Sequence, residues 1–515
     1  MRRLAPVKPA ACWVAVHLPA LSLESFGATL GPEQAQRPRA LLDGALLSAV
    51  DEQAWASGVR PGQRRATALA LEPALLLGRA DARRDRQALR AVAFAALQFT
   101  PSVTEHGGRT VLLEVAASQR LFGGLECLVQ RLCETLAPLR HQTRLACAPT
   151  ALGAALLAAW EAWEARPGGH LLSSLSALRA ALDEAPLALL CQDAAALEAL
   201  QGMGLQRLGD LRALPRQGLA RRFGPGLLRQ MDQARGEAPD PRDWVSLPPS
   251  FTARLELFSR ADTTEQVLQG AELLLTQLVH WAVARQARVS RFTLEMAHER
   301  RHRHDDDTPA RSALPISIAQ PSADAAHLQV LLRERLGRHP LPAPTLELHL
   351  RCDELVHAAP PDGELFPTRA SAQEGLMRLL ERLQARLGPQ QVHGLVSVAD
   401  HRPERSGGQA PPPAILGAPA QAASHTAPPH LTRPAWLLPE PRPLPEHRGR
   451  PVLDGQPLRL LAGPERIETG WWDGPAAARD YFVAATPAGV LVWIFRARLP
   501  SPDEATGWAL QGWFA

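Results

Sequence analysis

The 515-residue chain has almost no lysine: Lys8 is the only one, so its 56 basic side chains are otherwise arginine. That excludes mechanisms needing a lysine beyond the N-terminal stretch, including the phosphate-cradling lysine of a P-loop. A bias this complete reflects genomic base composition rather than chemistry. The six cysteines (12, 127, 133, 147, 191 and 352) form no C-x-x-C pair, which argues against a zinc site and a disulfide framework alike. No apolar run reaches transmembrane length, and residues 1–11 lack the apolar core of a signal peptide. A reducing cytoplasm and no membrane partner are therefore expected.

What is present describes a globular protein. Hydrophobic residues make up 46% and charged residues 21% of a chain long enough for three or more domains. The net charge of +4 permits a nucleic-acid partner without demanding one, since a net value hides local patches.

The most informative stretch is 107–124, GGRTVLLEVAASQRLFGG. Val111–Val115 is a short apolar run suited to a buried strand, and Leu125, Leu128, Val129, Leu132 and Leu136 then recur at helical spacing. TVLLEV followed by SQRLFGG resembles the palm of the Y-family translesion DNA polymerases, and within that family the ImuB branch, which carries a similar RLFGG turn. The resemblance implies an α+β multidomain fold. Residues 1–165 would form the palm with fingers inserted at about 30–80, and 166–240 a helix-hairpin-helix thumb. A little finger would occupy 250–358. A clamp peptide, helix and flexible linker would follow over 359–432, and a small β-rich partner-binding domain over 433–515.

Active members of that family hold magnesium with an adjacent Asp-Glu pair before this strand and an aspartate on the opening strand. By the resemblance, the pair falls here on Arg109 and Thr110. The opening strand, CWVAVHL over Cys12–Leu18, places His17 at the aspartate, with Pro19 at the second acidic position and Ser22 at the gate against ribonucleotides. Two-metal phosphoryl transfer needs clustered anionic oxygens, which these residues do not supply. His17 is a ligand type in principle, but a lone histidine beside an arginine is a poor magnesium site. Two more blocks resemble the family. DEQAWASGVRPG (51–62) resembles the fingers segment, with Asp51 and Glu52 opening a solvated helix. ACAPTALGAALL (146–157) matches a segment whose phosphate-contacting lysines are replaced by Ala151 and Ala155. No catalytic residue and no resident cofactor are expected. The rival reading is a working polymerase using magnesium, with Glu105, Glu114, Asp51 and Glu52 as its ligands. Glu114 would then point into a cleft while Leu113 and Val115 face the core. A third reading, a DNA-binding scaffold unrelated to lesions, leaves the palm motifs unexplained.

LQGMGLQRLGDL (200–211) and FGPGLLRQMDQARG (223–236) resemble the family's thumb. The resemblance assigns Gly202 and Gly204 to a phosphate-binding hairpin, with Arg207, Arg221 and Arg222 as electrostatic partners. Proline density over 239–250 reads as a tether. A helix near 264–287 and strands near 291–296 and 345–350 suggest a small α/β domain, where Arg285, Arg288 and Arg291 face either phosphates or water. The charged run RRHRHDDDT (300–308) reads as a solvated loop rather than a metal site.

PPDGELFP (360–367) presents Leu365 and Phe366 in a proline-flanked segment, the anchor pair of a sliding-clamp peptide that lacks its usual glutamine; the plain alternative is a loop pinned by two apolar side chains. Residues 375–387 read as helical, and VHGLVSVADHRPER (392–405) matches the ImuB branch closely. Residues 406–429 have linker composition. Alternation over 433–444, 463–474, 479–484 and 490–497 marks strands of a β-rich tail, with Trp471, Trp472 and Trp493 either in its core, as expected for most of them, or on a partner surface. The resemblance implies a catalytically silent adaptor in SOS mutagenesis and DNA repair, cytoplasmic and nucleoid-associated. Its partners would be primer-template DNA, the sliding clamp, an ImuA-like protein and an error-prone C-family DNA polymerase.

Overall fold

The computed structural model describes residues 11–31, 33–164, 171–191, 193–299, 309–357, 369–410, 433–434, 436–472, 477–498 and 507–514. Contacts divide the chain into two compact units, one through Arg382 and one from Leu383.

The first unit opens with β1 (Trp13–His17) and α1 (Leu21–Gly27). A small module follows: β2 (Arg39–Asp43), β3 (Leu46–Val50), α2 (Glu52–Ala56), α3 (Arg65–Leu71) and β4 (Leu76–Arg79). Its strands are ordered β3-β2-β4, and Ala40, Leu47, Ala54, Val59, Ala68 and Leu75 give it a core of its own. The chain returns through α4 (Ala82–Ala96), β5 (Val103–His106), β6 (Thr110–Glu114), α5 (Leu125–Leu136), β7 (Arg144–Ala148) and α6 (Ala151–Glu164). The strand expected at 111–115 is thus β6, shifted by one residue.

β1 is antiparallel to both β6 and β7 in a sheet ordered β5-β6-β1-β7. Strand alternation sends its residues into two cores. Val14, Val16, Val111 and Leu113 pack with α4 and α5, whereas Ala15, Leu112, Ala146 and Ala148 pack with α6. The continuous apolar runs of β1 and β6 follow from burial on both faces. Ala151 and Ala155 of α6 are buried in the second core. Lysines there would carry their charge into apolar packing.

That core continues into five helices: α7 (Leu175–Glu184), α8 (Ala194–Gly202), α9 (Leu208–Arg212), α10 (Arg216–Phe223) and α11 (Pro225–Ala234). Arg235 is buried at the end of α11 and pairs with Asp183 at 2.5 Å and Glu237 at 3.2 Å. The proline-rich stretch after it is anchored: the Val245 amide donates to the Val103 carbonyl at 2.8 Å.

Next come β8 (Phe251–Ala261), α12 (Thr264–Ala284), β9 (Ala287–His298), β10 (Arg311–Ser322), α13 (Ala325–Leu336), β11 (Thr345–His357) and α14 (Arg369–Leu387). The sheet order is β10-β9-β11-β8, all antiparallel, with α12 and α13 on one face. Thr263 caps α12, accepting from the Gln266 amide in a capping box. α14 meets α13 through a buried pair, His327 Nε2 to Glu381 Oε2 at 2.8 Å.

The second unit holds β12 (Gly394–Ser397) paired with β13 (Gly407–Ala410), and beyond them a β-rich domain. This comprises β14 (Trp436–Leu444), β15 (Glu446–His447), β16 (Arg450–Leu453), β17 (Gln456–Pro457), β18 (Arg459–Thr469), β19 (Ala477–Ala485), β20 (Leu491–Ala497) and β21 (Trp508–Trp513). Its main sheet runs β14-β21-β20-β19-β18. Trp493 is buried there with Tyr481 and Phe495, as expected. Trp471 and Trp472 correct the expectation: they are 77% and 61% exposed, edge to face beyond the end of β18. The core is filled instead by Tyr481, Phe495 and Trp508, so this loop pair is not needed inside. No helix among the described residues is long and apolar enough to cross a membrane.

Candidate functional site

The β1–β6 register places His17 directly opposite Thr110, and the β1–β7 register places Arg144 on its other side. Directly opposed residues share a face, so all three lie on the α6 side of the sheet. His17 Nδ1 is 2.8 Å from Thr110 Oγ1, and both side chains are buried. Burial, then Arg109, then His106 lower the His17 pKa to about 4, which leaves the imidazole neutral. Arg109 sits in the exposed turn between β5 and β6, and its carbonyl accepts from the Leu18 amide at 2.9 Å. His106, also held low by burial and by Arg242, lies 3.1 Å from that guanidinium. The positions that the resemblance equates with metal ligands therefore do come together, but as imidazole, hydroxyl and guanidinium. They do not fit a magnesium ion, which wants anionic oxygen and is repelled by neighbouring arginines.

The carboxylates of the rival reading lie apart from this point. Glu105 is opposite Val111, on the α4 face, and pairs with Arg90 at 3.9 Å. Glu114 does share the His17 face while Leu113 and Val115 are buried, as that reading required. It is four residues from Thr110, however, or about 13 Å along the strand. Its Oε1 accepts the Cys12 and Ala116 amides at 3.2 and 3.1 Å. Asp51 caps α2, accepting from the Ala54 amide, and pairs with Arg39 at 3.2 Å. Glu52 is exposed in the first turn of α2. Among the described residues, no group of three or more His, Cys, Asp or Glu side chains could hold a metal ion. Ser22 donates to Asp85, tying α1 to α4.

The proposed hairpin is the turn between α8 and α9. Gly202 ends α8, Gly204 has φ +88°, and both are exposed. A positive φ at Gly204 lets the chain reverse where an L side chain would be strained. Arg222, at the end of α10, reaches back to this turn, its Nη1 3.3 Å from Met203 Sδ. Arg221 beside it is exposed. Arg207 begins α9 and forms an ion pair with Glu184. The structure thus brings Gly202, Gly204 and Arg222 together, with Arg207 held by a carboxylate.

The arginines of the 251–357 region are spread more widely. Arg285 donates to the Pro248 carbonyl at 2.6 Å and lies over the Trp281 ring, so it fastens the preceding segment to α12. Arg291 pairs with Glu354 at 3.5 Å. Arg288 lines a groove with Gln320, Asp324, His327 and Arg378. Sequence reasoning missed the carboxylates interleaved with these arginines, Glu295 and Glu347 above all, although the alternation in TLELHLRC (345–352) placed Glu347, His349 and Arg351 on one face. The 300–308 run and the Leu365–Phe366 pair lie outside the described residues.

No protein-family model matches the chain. Among solved structures it is similar to a Dbh ternary complex, at 14% identity and a TM-score of 0.38 over 66% of this chain and 98% of that one. An insertion ternary complex of Dbh DNA polymerase is likewise 14% identical, with a TM-score of 0.39 over 67% and 99%. Two curated proteins called Protein ImuB, from Caulobacter vibrioides strains NA1000 / CB15N and ATCC 19089 / CIP 103742 / CB 15, are each 30% identical over 481 residues. The match spans 89% of this chain and 100% of each relative. With that identity across the full length of both relatives, the chain belongs to the ImuB family.

Proposed function

We propose that this protein acts in translesion DNA synthesis as a catalytically silent adaptor, a Y-family polymerase homologue that binds DNA and the sliding clamp during SOS mutagenesis. The observation that carries the reading is the buried His17–Thr110 pair, 2.8 Å apart, at the strand register where a polymerase needs carboxylates. A neutral imidazole against a hydroxyl, flanked by Arg109 and Arg144, offers a divalent cation no charge to bind. Of the carboxylates that would rescue catalysis, Glu105 faces another core, Asp51 caps a helix, Glu52 is exposed on α2, and Glu114, though on the His17 face, binds backbone amides farther along the strand, so they do not converge on one cation.

In this reading the exposed turn at Gly202 and Gly204 presents backbone N–H groups to a phosphate, with Arg207, Arg221 and Arg222 adding charge. Arg288 and Arg291 serve DNA from the second sheet. Leu365 and Phe366 dock on the clamp, and residues past about 430 recruit an ImuA-like protein and an error-prone C-family polymerase.

The double substitution Leu365→Ala with Phe366→Ala tests the clamp contact. Removing two anchor side chains of about 2 kcal/mol each, about 4 kcal/mol together, is expected to raise the Kd for immobilised clamp about 700-fold. Binding to primer-template DNA should be unchanged in the same preparation. Clamp affinity equal to wild type would remove this segment from the reading.

A further inference from the structure

The sheet β10-β9-β11-β8 is covered by α12 and α13 on one face; the other carries side chains of both signs in an ordered pattern, and at its β8 edge Arg254, Glu256 and Phe258 line a groove with Phe26, Asp81, Arg83 and Arg84. One cross-strand row reads Arg254, His349, Glu295, and the next sets Glu256 opposite Glu347. Nearly every arginine here meets a carboxylate. Arg351 pairs with Glu295 at 3.4 Å, and Arg254 contacts Glu347 and lies 3.5 Å from Glu256. Towards the sheet ends, Arg260 pairs with Glu299 at 3.1 Å and Arg291 with Glu354 at 3.5 Å. His349 adds no reliable charge, being held low by burial, then Arg311, then Arg254.

We propose that this open face is a self-compensated phosphate-binding surface, on which duplex DNA binds by exchanging its phosphates for the chain's own Glu295 and Glu347 carboxylates. The inference rests on the DNA-binding reading above and deepens it. The depths of the groups support it. The Arg351 side chain is 53% exposed, while Glu295 and Glu347 are 24% and 16% exposed. Arg254 is 35% exposed, so both arginines stand nearer solvent than the carboxylates beside them. An exposed ion pair is weak, and a guanidinium binds phosphate in the same bidentate fashion as carboxylate. An arginine can thus turn from one to the other without disturbing the sheet. The displaced carboxylate remains beneath the phosphate and repels it, so each exchange yields less affinity than an unpaired arginine would. A face built this way holds DNA loosely and releases it readily, which suits a protein that hands a primer terminus to another enzyme.

The test is fluorescence anisotropy of a labelled primer-template with the full-length chain, wild type against Glu295→Gln with Glu347→Gln, from about 50 to about 200 mM salt. Both changes are nearly isosteric; they free Arg351 and leave Arg254 only Glu256, at 3.5 Å. The double variant should bind more tightly at low salt, and its log Kobs against log salt slope should steepen by about 0.9 for Arg351 and by up to about 0.9 more for Arg254. It should therefore lose about three- to tenfold more affinity than wild type across that range. Glu295→Gln alone, at the less buried position, should show the Arg351 share of the change and keeps the test open if the double variant fails to fold. Tighter binding by the variants when wild-type binding is barely detectable would also support the proposal. Unchanged affinity and slope, with a wild type that binds, would overturn the exchange and leave the DNA-binding reading standing. Failure of wild type and variants alike to bind would overturn both.

Discussion

Replacing Trp281 with alanine is expected to lower the unfolding free energy of the first unit by about 4 kcal/mol. Trp281 is fully buried in α12, with its ring centroid 5.7 Å from that of Phe251 at the start of β8. Its Nε1 donates to the Pro248 carbonyl at 3.2 Å, and Arg285 lies over its face. One side chain thus joins the helix, the first strand of its sheet and the segment leading in from α11. Truncation loses the transfer free energy of a large aromatic and leaves a cavity that a helix packed on a sheet cannot close. Pro248 keeps its bond from Arg285 at 2.6 Å, so the lost hydrogen bond is the smaller part. Trp281→Phe, which keeps most of the volume, should therefore cost only about 1–2 kcal/mol. Urea unfolding measures both. At about 1–3 kcal/mol per molar urea, the alanine variant should shift the midpoint of this unit down by more than about 1 M. A shift no larger than that of the phenylalanine variant would contradict the packing described.

Mild acid is expected to destabilise the same unit through two buried histidines. His17 and His280 both have pKa values lowered to about 4, His17 by burial, Arg109 and His106, and His280 by burial. In the unfolded chain both protonate near pH 6.5. Between those values the unfolded state binds protons that the folded state does not, so stability is full above about pH 6.5 and falls as pH drops towards 4. Shifts of this size correspond to about 3 kcal/mol for each histidine. The window separates this effect from carboxylate protonation, which begins near pH 4.5. His280 accounts for its share through its place between α12 and α4, where Nδ1 lies 3.0 Å from Gln98 Nε2. His17→Gln with His280→Gln should flatten the curve between about pH 6.5 and 4.5. A wild-type stability that does not change across that window would contradict the neutral, buried state assigned to these imidazoles.

The central strands were legible because burial on both faces makes them continuous apolar runs. The glycine pair at 107–108 marked the turn before β6, and the resemblance singled out His17 and Thr110 separately, whereas their facing each other comes from the β1–β6 pairing. The edges were harder. β10 contains Pro315 and Pro321, which demote a strand on paper; the sheet order makes β10 an edge strand, where proline's missing N–H costs no ladder bond. β8 follows directly from the proline-rich stretch and was not read as a strand, although Phe251, Ala253 and Leu255 alternate inward. The ion pairs of the open face were invisible for a different reason. They form between strands distant in sequence, Arg351 with Glu295, Arg254 with Glu347 and Arg291 with Glu354, so Arg291 read alone faced either phosphates or water. Trp471 and Trp472 were assigned inward on the argument that a small domain needs its aromatics; a loop beyond a strand end is where that argument has least force.

The most direct test of the central claim is primer extension by the purified chain alone on primed DNA, with magnesium and then with manganese. The account predicts no added nucleotide with either metal, while the same preparation binds that primer-template. Extension above a mock preparation, lost on changing Glu114 or Glu105, would contradict it and show that a metal site assembles despite His17, Arg109 and Thr110.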